Sequence, residues 1–153
     1  MIHITSEKDL EHYIRKILKT NFGDKNLIVL ENKDIADIVI LNEKQQTLYF
    51  LELKFYKKSH TRLGIGSGQG KGFQIEILKS NYAYFEKHLR WILATEEDDF
   101  FRFCTNEQIR YNISGDAVGE KYNSISLQIF KDERAFLTEK ELVTKLGEWL
   151  LAE

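Results

Sequence analysis

The sequence predicts a mixed α/β domain, a central sheet flanked by helices, and three observations predict it. Apolar residues recur at helical spacing near the start, three strand-like runs follow in close succession, and a capped amphipathic stretch closes the chain. With 153 residues the chain falls within the usual span of one domain, and its 42% hydrophobic content is enough for a real core.

Each element has its own signal. Ser6 followed by Asp9 has the form of a helix N-cap with an acid in the first turn. Leu10, Tyr13, Ile14, Ile17 and Leu18 then make the stripe of an amphipathic helix, from about Glu7 to Thr20. Asn21-Phe22-Gly23-Asp24 is turn chemistry. The strand-like runs are Leu27–Leu30, Ala36–Leu41 and Thr47–Phe55, and the short polar stretch from Asn42 to Gln46 predicts a hairpin. After a glycine-rich loop, a helix is expected from about Gly72 to Lys87. Leu89–Ala94 reads as a buried strand and Phe100–Cys104 as a further one. Asn106–Tyr122 is ambiguous, with a turn at Ser114-Gly115-Asp116. Ser124–Phe130 alternates Ile125, Leu127 and Ile129 with polar residues, a half-buried strand pattern. Thr138-Glu139-Lys140-Glu141 fits a capping box, and Leu142, Leu146, Trp149 and Leu150 give the last helix its apolar face.

Composition removes several classes of function. No apolar run approaches the roughly 18–20 residues that span a bilayer, so no membrane partner is expected. The first residues carry no signal-peptide pattern, and the expected setting is the cytoplasm. A single cysteine, Cys104, supports neither an internal disulfide nor a multi-cysteine zinc site, and is expected as a buried apolar residue. The net charge of −2 argues against a protein that coats nucleic acid. Yet Lys54, Lys57, Lys58, Arg62 and Lys71 give the segment between positions 54 and 71 a charge of +5, with no acid among them.

That basic segment directly follows the most informative pattern in the chain. Glu52 and Lys54 lie two apart on one strand and share a face with Phe50, while Leu51, Leu53 and Phe55 take the other. A strand so rich in apolar neighbours is expected to be central, where an unpaired charge is costly. Asp37 begins the preceding strand, and the hairpin brings it beside Glu52 and Lys54. Two adjacent carboxylates call for a cation. Hard oxygen ligands with an open coordination sphere suit Mg²⁺, with Mn²⁺ as substitute. Lys54 could then orient an attacking water or stabilise charge developing on phosphate. The bland alternative is an ordinary ion pair between Lys54 and one of the acids.

Asp37 together with Glu52-Leu53-Lys54 resembles the PD-(D/E)xK nuclease superfamily, which includes restriction endonucleases and Holliday junction resolvases. The family order is a helix, strands carrying Asp and then Glu-x-Lys, a helix and a further strand, and it matches from about Glu7 to Ala94. Ala36 stands where the family has proline. The resemblance implies one restriction-endonuclease-like domain over residues 1–153, a metal held by Asp37, Glu52 and the Leu53 carbonyl, and a further acid on the first helix. Glu11 is the first candidate for that acid and Glu7 the alternate.

The loop Leu63-Gly64-Ile65-Gly66-Ser67-Gly68-Gln69-Gly70-Lys71-Gly72 is neither a P-loop nor a Rossmann fingerprint, because its glycines and lysine stand at the wrong spacings. It is expected to be either a plain flexible tip or a loop whose N–H groups approach phosphates, helped by Arg62 and Lys71. Lys57 and Lys58 would join them on the DNA backbone, and Gln69 or Gln74 would reach a base edge or a phosphate. The expected function is a Mg²⁺-dependent endonuclease cutting DNA, duplex or branched, as a restriction or defence enzyme. A resolvase-like repair nuclease, an RNA-directed nuclease and an inactive binding or immunity module are the alternatives. A homodimer is expected, because cutting two strands wants two sites related by a twofold axis.

Overall fold

A computed structural model describes residues 4–31, 35–66, 72–80, 82–114, 118–121 and 123–152. Its first element is helix α1 (Glu7–Phe22). Ser6 Oγ accepts the Asp9 N–H at 3.1 Å, and the acids of the first turn face the positive end of the helix dipole. The expected stripe is its buried face: Leu10, Ile14, Ile17 and Leu18, extended by Phe22.

Strands β1 (Leu27–Leu30), β2 (Ile38–Asn42) and β3 (Thr47–Tyr56) follow. Both neighbouring pairs are antiparallel, and the β2–β3 hairpin runs in register from Asn42 opposite Thr47 to Ile38 opposite Leu51. Strand β4 (Leu63–Gly64) and helices α2 (Phe73–Ser80) and α3 (Ala83–His88) then carry the chain across to β5 (Leu89–Thr95). β5 lies parallel to β3, as such a crossover permits, and β6 (Arg102–Thr105) returns antiparallel. The main sheet is therefore mixed, in the order β1-β2-β3-β5-β6. Helix α4 (Asn106–Tyr111) and strands β7 (Ile113–Ser114) and β8 (Ser124–Ile125) come next. They build a small second sheet, β4-β8-β7. Helix α5 (Glu139–Leu150) closes the fold with the expected capping box between Thr138 and Glu141.

Helices cover both faces of the main sheet, as expected. On one face α1 and α5 pack against Leu51, Leu53 and Phe55. On the other, Ile75 and Leu78 of α2 and Ile109 of α4 meet Val39, Phe50 and Trp91. Gly147 lets α5 pack closely on α1, because a Cβ there would stand 3.3 Å from the Phe22 ring and push it by a few tenths of an ångström. Cys104 is buried as expected, and burial pushes its thiol up to about 12. Among the described residues no helix is long and apolar enough to cross a membrane.

Four expected elements differ. The strand expected from Ala36 begins at Ile38, which leaves Asp37 just before it. The single helix over 72–87 is two helices: the Ser80 hydroxyl donates to the Ile77 carbonyl at 3.2 Å near the end of α2, and Tyr82 is extended. The strand expected over 124–130 stops at Ile125. Ser126 Oγ accepts the Gln128 N–H at 3.3 Å and caps a 3₁₀ turn over Leu127–Phe130. The strand expected from Phe100 begins at Arg102, and Phe101 instead bridges Leu137.

Candidate functional site

The hairpin register sets the geometry. Beyond the last pair, Ile38 with Leu51, the Asp37 side chain takes over from the backbone ladder: its Oδ2 accepts the Leu53 N–H at 2.7 Å. The N–H and C=O of a residue on a ladder point to the same neighbour, so the Leu53 carbonyl is directed to the same edge. Asp37, Leu53, Glu7, Glu11 and Arg15 line a cleft of about 690 Å³ between α1 and the strand ends.

Glu52 sits on the α2 side of β3 and is only 2% exposed. Its Oε2 accepts a hydrogen bond from Gln74 Nε2 at 2.8 Å. Burial raises its pKa well above the ordinary carboxylate value, the neighbouring Asp37 raises it further, and Gln74 and Lys54 pull the other way. Lys54 Nζ donates to the Gly64 carbonyl at 2.8 Å, so β4 of the small sheet holds the ammonium in place.

The two acids of α1 have different partners. Glu11 pairs with Arg15 at 3.1 Å, and the same guanidinium donates to the Leu30 and Asp37 carbonyls at 3.3 and 3.2 Å. Glu11 thus steadies the strut that fixes the Asp37 backbone. Glu7 lies one turn earlier. Its pKa is raised chiefly by the protein crowding it, with Lys54 opposing and Asp37 and Glu11 adding. Glu7 is therefore the α1 acid within electrostatic reach of both Asp37 and Lys54.

Gln74 is occupied at both ends of its amide, because its Oε1 also accepts the Gly66 N–H at 3.0 Å. It ties the start of the glycine-rich segment to Glu52, a role different from the nucleic-acid contact expected of it. Nothing local signals this bond, since 22 positions and a change of element separate the two residues. Lys57 is half-buried, while Lys58 and Arg62 are exposed where the chain leaves β3. The Lys58 N–H donates to the Glu96 carboxylate. Gln69 and Lys71 lie outside the described residues.

Among the described residues no three His, Cys, Asp or Glu side chains form a metal-binding group. The oxygen donors here are two carboxylates, Asp37 and Glu52, and the Leu53 carbonyl. Their chemistry suits a hard divalent cation, which would offset the Asp37 charge that, after burial, raises the Glu52 pKa. No protein-family model matches the chain, and no curated protein or solved structure matches it.

Proposed function

We propose that this protein is a Mg²⁺-dependent endonuclease of the PD-(D/E)xK type that hydrolyses DNA phosphodiester bonds, most simply as a restriction or defence enzyme. One observation carries the reading. Asp37, Glu52 and Lys54 meet at the ends of two adjacent strands, and Asp37 and Lys54 both act on the Glu52 carboxyl. The order helix, strands, helix, strand on a mixed sheet is the order the resemblance implies and supports the same reading.

Asp37, Glu52 and the Leu53 carbonyl would hold the ion, and when bound it would lower the pKa of a coordinated water, easing its deprotonation for attack on phosphorus. The chain's own groups do the rest. Lys54 places a positive charge where the phosphoryl oxygens gain negative charge. Glu7 adds an acid at the mouth of the site, and Arg15 fixes the Asp37 backbone. Lys57, Lys58 and Arg62 offer the DNA backbone a basic approach. Gln69 and Lys71 belong to the same proposed contact. A homodimer would present two such sites to the two strands.

A second reading, an inactive module with the same fold, is favoured by one observation: Lys54 and Gln74 each already make a hydrogen bond within the protein. Supercoiled plasmid, four-way junctions and RNA, each incubated with Mg²⁺, Mn²⁺ or EDTA, separate the readings. Metal-dependent cutting that Glu52→Ala loses supports the nuclease, and the substrate cut identifies the class. Intact substrates throughout favour the binding module.

A further inference from the structure

A second cavity, of about 680 Å³, lies away from the carboxylates. Tyr49 lines it three residues before Glu52 on β3, about 10 Å along the strand, and faces the α1 and α5 side of the sheet. Its aromatic walls are packed against one another. Trp149 stands edge-on to Tyr49 at 5.1 Å and to Phe103 at 5.8 Å, and its Nε1 donates to the Lys87 carbonyl at 2.8 Å. Three cations, Lys87, Arg90 and Lys145, share the lining with one acid, Glu148, which stands 4.0 Å from the Lys145 ammonium. In a chain of net charge −2 that is a local excess of positive charge.

Arg90 is the informative residue. It is half-buried, and its guanidinium lies over the Trp149 ring at 5.3 Å. One of its nitrogens donates to the Glu86 and Leu89 carbonyls. Among the described residues it forms no salt bridge, and Glu86 pairs instead with Arg110. Burial lowers its pKa and the nearby Glu86 carboxylate opposes that shift, so an incoming anion would add a second charge partner. A planar guanidinium whose other two nitrogens have no partner among the described residues, beside aromatic rings and two lysines, is the equipment for a phosphate attached to a flat ring. The volume falls within the range of ligand pockets, roughly 300–1,000 Å³. A neighbouring cavity of about 570 Å³ shares Arg90, Phe103 and Lys145 and extends the space toward Arg134.

We infer that this pocket binds a nucleoside phosphate, its phosphate on Arg90, Lys87 and Lys145 and its base against the half-buried Phe103 ring, beside the buried Trp149. The ligand is either a free nucleotide or the end of a strand. The inference does not depend on the nuclease reading, because the pocket and the carboxylate site share no residue.

Tryptophan fluorescence tests it in EDTA, which keeps cation binding at the carboxylates out of the signal. The chain has two tryptophans, and Trp149 lines the cavity while Trp91 does not, so a change reports mainly Trp149. The probes are adenosine monophosphate, inorganic pyrophosphate and an oligothymidylate. Saturable quenching by adenosine monophosphate, displaced by pyrophosphate, is expected for a free nucleotide. Quenching by the oligonucleotide alone assigns the pocket to a strand end. Lys87→Glu with Lys145→Glu alters exposed side chains and leaves the core intact; it should weaken binding at least about tenfold, roughly the loss of one charge-assisted contact. Arg90→Met should do the same. No quenching by any probe up to about 1 mM, or equal affinity in the double variant, would overturn the assignment.

Discussion

Asp37 Oδ2 accepts the Leu53 backbone N–H at 2.7 Å, so a side chain continues the β2–β3 ladder one step past the last paired residue. This bond fixes one carboxylate against the strand that carries the other. Glu52 must then be buried next to Asp37, and the perturbed Glu52 pKa follows from that placement.

The first consequence concerns stability. The folded-state pKa of Glu52 is raised, so the native protein holds that proton more tightly than the unfolded chain. The resulting stability is complete below the ordinary carboxylate value and is lost as pH rises through the raised value. Without divalent cations, Glu52→Gln should therefore be more stable than the parent at neutral pH, by about 1 kcal/mol or roughly 3 °C. The advantage should vanish in acid. Thermal unfolding followed by circular dichroism across pH gives the comparison, and a constant difference at all pH values would contradict this origin.

Glu7 and Glu11 should separate in mutagenesis. Glu7→Gln removes a charge that acts on Asp37 and Lys54, and should lower cleavage with little change in melting temperature. Glu11→Gln frees the Arg15 strut and should lower stability by about 0.5–1 kcal/mol, within the range for partly exposed pairs. Cleavage rates and urea midpoints measured on the same preparations distinguish the two.

Gln74→Ala removes the donor that holds the Glu52 pKa down. The Glu52 pKa should rise further, and the acid limb of the pH–rate profile should move to higher pH. Gln74→Glu should be worse, because it sets a third carboxylate beside the pair. An unmoved acid limb in Gln74→Ala would show that Glu52 does not govern that limb.

Far from the site, Arg102 is fully buried. Asp98 accepts its two terminal nitrogens at 3.0 and 3.1 Å, and the Phe136 ring lies 4.0 Å from the guanidinium carbon. Asp98→Ala leaves that charge without its partner. Because Asp98 is itself partly exposed, the expected loss is about 2–3 kcal/mol, at or just below the usual range for a broken buried pair. Chemical denaturation measures it, and a loss below about 0.5 kcal/mol would mean that the ring faces and the Phe100 and Phe130 carbonyls satisfy Arg102 without Asp98.

Much of the site was legible because its geometry is local. The hairpin fixes Asp37 beside Glu52 through strand alternation and a short polar turn, both visible in sequence. The α1 stripe and the α5 capping box are equally local signals. What escaped depends on tertiary contact. Glu7 and Glu11 are one helical turn apart on one face, and only the position of Arg15 against Leu30 and Asp37 separates their roles. The Gln74–Glu52 bond needs the crossover from β3 to α2. The alternation over 124–130 imitates a strand, but Ser126 turns the chain with its own hydroxyl.

The central claim is that Asp37 and Glu52 together hold a divalent cation, and Mn²⁺ binding followed by electron paramagnetic resonance tests it without a choice of nucleic acid. One Mn²⁺ per chain is expected, displaced by Mg²⁺, lost in both Asp37→Asn and Glu52→Gln and kept in Lys54→Met. Mn²⁺ bound equally well by the parent and both carboxylate variants, or by none of them, would contradict it.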